Sequence, residues 1–265
     1  MTLTAAPRLR VAHEGKIARV LIDNAGKRNA FDLAMWQALP GVMSALDADP
    51  GVRVIILSGA AGQPFCSGAD ISEFSTVRAS AEGGRLYEAA NAAAFDALAR
   101  CAKPVIASIR GFCLGGGMGL AAACDLRVAA EGTIFGIPAA RLGLGYPPSA
   151  MAYIVAAVGA QAARDLFFTA RRIDAGEAKA LGFLARLVKE DQLDAEVAAL
   201  ARVMADNAPL TIAAAKAAIA RAAGLPVAVS AEEADAIAAA SFDSADYAEG
   251  RQAFLEKRAP RFEGR

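Results

Sequence analysis

Two glycine-rich stretches carry the clearest chemistry in this chain: Phe65-Cys66-Ser67-Gly68-Ala69-Asp70-Ile71 and Gly111-Phe112-Cys113-Leu114-Gly115-Gly116-Gly117-Met118-Gly119. Each follows an apolar β-type run, Val52 to Leu57 and Pro104 to Ile109, and each leads into a helical pattern. The first N–H groups of a helix have no intrahelical acceptor and sit at the positive end of its dipole, so both stretches can present free backbone donors. Two such donors converging on one carbonyl oxygen form an oxyanion hole, which stabilises negative charge as it develops on that oxygen.

The elements that must position these stretches are legible as a repeat. Leu9 to His13 and Ile17 to Ile22 flank Glu14-Gly15-Lys16 and predict an opening β-hairpin with a glycine turn. Asp32 can cap a helix through Trp36 and Leu39 to Leu46, stopped by Asp49-Pro50-Gly51. Strand, glycine stretch and helix then recur twice, with helices predicted over 82–100 and 116–123. Strands alternating with helices predict an α/β architecture with mostly parallel pairing. Beyond about residue 195 strand signals vanish, and alanine-rich amphipathic helices follow over 194–206, 210–223, 231–240 and 244–256, interrupted at Leu225-Pro226. Such helices bury little area per residue, which makes packing against another subunit an expectation.

Together these stretches resemble the enoyl-CoA hydratase/isomerase (crotonase) superfamily. The likeness extends to Lys27-Arg28-Asn29-Ala30-Phe31, Ala122-Ala123-Cys124-Asp125-Leu126-Arg127, Phe135-Gly136-Ile137-Pro138, Phe167-Phe168-Thr169-Ala170 and the segment Glu249 to Arg258. The resemblance implies a right-handed spiral of ββα turns over residues 1–195 and a C-terminal helical oligomerisation region over 196–265, building a homotrimer or a dimer of trimers. It implies an acyl-CoA thioester substrate whose carbonyl oxygen accepts from the N–H groups of Ala69 and Gly116, with Gly115 and Gly117 permitting close approach. CoA would lie along Arg28, Ala30, Cys66, Gly68 and Ile71, and Arg28 or Lys257 of the partner subunit would meet phosphate oxygens. No separate cofactor is implied, because coenzyme A is part of the substrate.

The same resemblance exposes two gaps. Hydratases of this superfamily carry glutamates at the positions held here by Gly119 and Ala139, and hydration needs both a base for water and an acid for the α-carbon, each worth about 10² to 10⁴ in rate. An isomerase usually keeps the second of these glutamates. A site that stabilises an enolate without an obvious base suits decarboxylation of a malonyl-type thioester, since loss of carbon dioxide generates the enolate directly. Tyr146 fits this reading: Leu142-Gly143-Leu144-Gly145-Tyr146-Pro147 is similar to the loop of methylmalonyl-CoA decarboxylases, which implies an active-site tyrosine there, although those enzymes hold a histidine where this chain has Ala69. Asp70, Glu73, Asp125 and Glu131 are candidate substitute acids, with Asp70 also reading as a helix cap and Asp125 as a turn or structural partner. Arg141 can face a substrate carboxylate, and Ser67 reads as a turn residue. Decarboxylase-type chemistry, a residual hydratase and a non-catalytic acyl-CoA-binding protein all remain open.

Bulk properties narrow the partners. With 28 basic and 28 acidic residues the chain has no basic field for nucleic acid and no polybasic membrane patch. Cys66, Cys101, Cys113 and Cys124 lack the paired spacing of a zinc site and read as buried reduced thiols, so no metal is expected. The N-terminal residues lack the charged and apolar regions of a signal peptide, and no apolar run reads as a membrane span, so a cytoplasmic enzyme is expected. Gly117 to Ala122 matches a dinucleotide pattern, but the acidic residue that should end a second strand is missing. His13, the only histidine, reads as a surface strand residue, which argues against serine or cysteine hydrolase chemistry.

Overall fold

The computed structural model describes residues 2–6, 8–60 and 62–265. Strand β1 (Thr2–Ala6) lies beside the hairpin of β2 (Leu9–Glu14) and β3 (Ile17–Ile22), which turns at Gly15 with φ +60°. Helix α1 (Leu33–Ala48) starts where the Asp32 carboxylate accepts from the Met35 N–H at 2.9 Å, and buries Trp36, Leu39 and Met43. Strand β4 (Val54–Gly59) leads through the first glycine stretch to α2 (Ala81–Arg100), capped by Ser80. Strand β5 (Val105–Ile109) begins one residue after Pro104, which has no N–H for a ladder; β6 (Phe112–Leu114) and α3 (Gly116–Ala123) follow.

The chain continues through β7 (Leu126–Ala130), β8 (Ile134–Gly136), α4 (Ala139–Leu142), α5 (Pro148–Thr169), β9 (Arg172–Asp174), α6 (Ala175–Ala180) and β10 (Arg186–Val188). It ends in α7 (Leu193–Asp206), α8 (Pro209–Ala222), α9 (Ala231–Phe242) and α10 (Ala245–Glu256). One seven-stranded sheet has the order β1-β2-β3-β4-β5-β7-β10, parallel from β3 onward; a second contains β6, β8 and β9. From β5 to β10 the chain steps back and forth between the two sheets with helices between, so the expected α/β repeat is present.

The main sheet is buried on both faces, as parallel sheets usually are. Ile55 and Leu57 of β4 point into a core shared with α1, α2 and α3, while Val54 and Ile56 point into a second core closed by Val197, Leu200 and Ala201 of α7. The division drawn at residue 195 therefore falls inside a helix that packs on the sheet. Helices α8 and α9 bury no residue, and Ile219, Phe242, Phe254 and Leu255 are exposed.

Helix α5 matches a membrane span by length and composition alone. It is instead two helical pieces meeting at Gly159 (φ 76°, ψ 161°), with Tyr153, Ile154 and Leu166 packed in the core.

Candidate active site

The first glycine stretch is held by a one-residue bridge to Phe31. The Phe31 N–H donates to Gly68 O at 2.8 Å and the Asp70 N–H to Phe31 O at 2.7 Å. Backbone alternation then turns the Ala69 N–H away from that pairing. Gly68 permits the path with φ +108°, where a side chain would be strained.

The second stretch is fixed by Gly115, whose N–H donates to Gly136 O at 2.8 Å and whose φ of +51° ends β6 and starts α3. Gly116 is the first residue of α3. A Cβ placed on it would lie 3.0 Å from the Trp36 ring, which leaves little room for a side chain, and 4.0 Å from the Ala69 nitrogen, an ordinary contact that shows how near the two stretches come. Among the described residues neither the Ala69 nor the Gly116 N–H has a protein acceptor. The stretches are tied together behind the donors: Cys66 N–H donates to Phe112 O at 2.9 Å and Leu114 N–H to Cys66 O at 3.0 Å.

Both donors face a cavity of about 80 Å³, small for a ligand site. Of the residues singled out from sequence, Ser67, Gly68, Ala69, Ile71, Gly115 and Gly116 line it, as do Ala139 and Tyr146. The Tyr146 hydroxyl lies 3.7 Å from where a Gly115 Cβ would stand, and its ring meets Phe167 edge-on at 5.1 Å. Burial pushes the Tyr146 hydroxyl above its ordinary pKa, so it can donate a hydrogen bond and is a poor base. Gly119 is not on the cavity surface: a Cβ there would come within 2.4 Å of the Phe95 ring, and it is Phe95 that faces the cavity. Arg28, Arg141 and Lys257 are exposed and do not line the cavity, and Cys66 and Ala30 are buried behind it. The Arg28 guanidinium lies 5.5 Å from the Phe112 ring centroid.

Three polar cavity residues on or beside α2 were not singled out in the sequence: Arg78, Glu88 and Asn91. Arg78 lies between the rings of Phe74 and Tyr87, 4.7 and 4.6 Å from their centroids, and donates to Glu88 Oε1 at 2.6 Å. Its side chain is 7% exposed, that of Glu88 21%. Burial raises the Glu88 carboxyl above the usual carboxylate range, against the opposing pull of Arg78 and Asn91. Asn91 reaches Glu88 Oε2 with its amide nitrogen at 3.4 Å, while its Oδ1 is buried without a partner. Tyr87 holds the rear of the cluster, accepting from the Trp36 indole at 3.1 Å and donating to Phe31 O at 3.0 Å.

The acids weighed from sequence go elsewhere. Asp70 caps the short helical turn at Ile71–Glu73 and pairs with Lys27; burial would raise its pKa, but the hydrogen bonds from Lys27 and Ser72 prevail and hold it below the usual range. Glu73 accepts from the Leu33 N–H at 2.9 Å. Asp125 accepts from the Val105 N–H at 2.7 Å and from Lys216 at 2.8 Å, and Glu131 is exposed. None of the four lines the cavity. All four cysteines are buried and free, and burial holds Cys66, Cys101 and Cys124 at about 12, so they are thiols and poor nucleophiles. Among the described residues no three of His, Cys, Asp and Glu converge to hold a metal ion.

The alternating sheets, with the free Ala69 N–H of the first stretch set near that of Gly116 at the start of α3, are the features of a crotonase-type protein. The chain belongs to the enoyl-CoA hydratase/isomerase family, whose model matches residues 12–265. It is 32% identical over 260 residues to a peroxisomal Delta(3,5)-Delta(2,4)-dienoyl-CoA isomerase of Arabidopsis thaliana, covering 94% of this chain and 93% of the relative. A short-chain-enoyl-CoA hydratase of Clostridium acetobutylicum is 33% identical over 248 residues, covering 92% of this chain and 93% of that one. The crystal structure of an enoyl-CoA hydratase/carnithine racemase from Magnetospirillum magneticum superposes with a TM-score of 0.91 at 39% identity, covering 97% of this chain and 96% of the other.

Proposed function

We propose that this protein binds an acyl-CoA thioester and turns it over through an enolate held by the Ala69 and Gly116 N–H groups, without efficient addition of water. One observation carries the second half of this reading: hydrocarbon occupies both places where a hydratase keeps its carboxylates. The Phe95 ring fills the space above Gly119, and the Ala139 methyl group stands at the other position. The names of the relatives support an acyl-CoA substrate, and the two unpartnered donors support charge stabilisation at its carbonyl oxygen.

Decarboxylation of a malonyl-type thioester suits this wall, because cleavage of the carbon–carbon bond leaves its electron pair as the enolate and no base is needed. The Tyr146 hydroxyl beside Gly115 supports this chemistry as a hydrogen-bond donor near the reacting carbon. Double-bond migration is the second reading, favoured by the carboxylate of Glu88 in the same cavity. For assembly, the exposed apolar surface of α8 to α10, with a groove of about 890 Å³ lined by Phe242, Tyr247, Phe254 and Leu255, supports a trimer or a dimer of trimers.

Mass spectrometry of crotonyl, 3-enoyl, malonyl and methylmalonyl thioesters incubated with the protein tests the reaction. Loss of carbon dioxide that falls in Tyr146→Phe supports the first reading, and migration without hydration supports the second. Rapid gain of water on crotonyl-CoA would sink the argument from the hydrocarbon wall.

A further inference from the structure

We propose that Glu88 is the proton-transfer residue of this site, taking a proton from the α-carbon of the bound thioester and returning it. The inference rests on the acyl-CoA reading above and adds the base that neither glycine stretch supplies. Glu88 is the one carboxylate among the described residues that line the cavity of Ala69 and Gly116. Its orientation is set from two sides. Arg78, itself fixed between Phe74 and Tyr87, holds Oε1, and Asn91 approaches Oε2 from the next turn of α2. Oε1 carries the short bond from Arg78, whereas Oε2 has only the 3.4 Å contact from Asn91 and keeps acceptor capacity for the substrate.

Two further observations fit proton transfer better than a structural ion pair. The buried Asn91 Oδ1 has no partner, which leaves an acceptor beside the carboxylate in a cavity whose wall also includes Phe95, Ala139 and Leu142. Glu88 also borders an outer cleft of about 610 Å³, reached past Arg78, Leu144 and Tyr146. A carboxyl at this boundary can exchange its proton with solvent between turnovers while its other face meets the substrate. Burial of the carboxyl favours its neutral form and brings it nearer the basicity that proton abstraction needs.

The step balances without a co-reactant. The α-carbon–hydrogen bond breaks, the proton passes to Glu88 Oε2, and the electron pair forms the enolate whose oxygen accepts from Ala69 and Gly116. Return of the proton to the α-carbon gives exchange alone; return to the γ-carbon of a 3-enoyl thioester moves the double bond.

The test is deuterium incorporation from D2O into butyryl-CoA, followed by mass spectrometry, beside calorimetric binding of acetoacetyl-CoA. The wild-type protein is expected to exchange the α-hydrogens, and Glu88→Gln to lose about 100-fold or more of that rate while binding acetoacetyl-CoA within about threefold of wild type. Glu88→Asp, which keeps the carboxylate, is expected to recover part of the rate. Exchange unchanged in Glu88→Gln, or no exchange by a wild-type protein that binds acetoacetyl-CoA, overturns the proposal. Failure of the wild-type protein to bind acetoacetyl-CoA would instead overturn the acyl-CoA reading beneath it.

Discussion

Glu88 and Asn91 at one end, and Phe95 at the other, form a single stripe on α2, and the two ends face the same cavity with opposite chemistry. The polar end holds an ion pair and an unpartnered amide oxygen. The apolar end presses a ring against Gly119 so closely that a side chain there has no room. The proposed donors across the cavity, the Ala69 and Gly116 N–H groups, belong to the backbone and need no particular side chain at Ala69. On the proposed reading, the contrast teaches that the choice of reaction would lie with α2, whereas the donors that would stabilise an enolate belong to the two turns.

The harshest way to break the contrast is to restore the first hydratase acid at the apolar end. Gly119→Glu should cost about 3 to 5 kcal/mol, because the Phe95 ring must move and a carboxylate is buried without a partner. Urea denaturation checks this, and part of the loss should return when Phe95→Ala is added, a non-additivity that would be absent if ring and glycine were independent. At the polar end, Arg78→Met leaves Glu88 part-buried and unpaired, with an expected cost of about 2 to 3 kcal/mol. Tyr146→Phe should change stability by less than about 1 kcal/mol yet slow decarboxylation by about tenfold or more, measured as carbon dioxide release from malonyl-CoA.

The smallest effect concerns the turn that carries the hole. Asp70 has a folded pKa below its unfolded value, so its contribution to stability is present above the unfolded pKa near 4 and fades as pH falls through the folded one. Thermal melts should therefore drop more steeply on acidification below pH 4 in wild type than in Asp70→Asn.

Much of this was readable in the chain, and the reasons are local. Asp32 before an apolar helical pattern, Gly15 between two alternating runs, and glycines after buried strands each state their role through short-range stereochemistry. The approach of the two glycine stretches was legible for the same reason, since their free N–H groups belong to the peptide backbone. Strands β6, β8, β9 and β10 were not, because three residues are too few to display a period of two. Glu88 was missed because nothing near it in sequence marks it: it stands in an ordinary helical repeat, and only the packing of α2 against the second turn brings it to the cavity. Gly119 and Ala139 are visible in the sequence as positions without acids, whereas the cavity carboxylate, Glu88, stands in a segment whose pattern says only helix.

The bridge between the two glycine stretches has a practical corollary. Cys66 and Cys113 face each other across it, fully buried and held as neutral thiols. An alkylating reagent can therefore reach them only when the two turns part, which makes their modification rate a stopwatch for the parting of the turns that carry the proposed donors. Cys101, buried near Asp47 at the far end of α2, times a different event and serves as an internal reference. A thioester that seats its oxygen between the turns should slow the first clock and leave the second running.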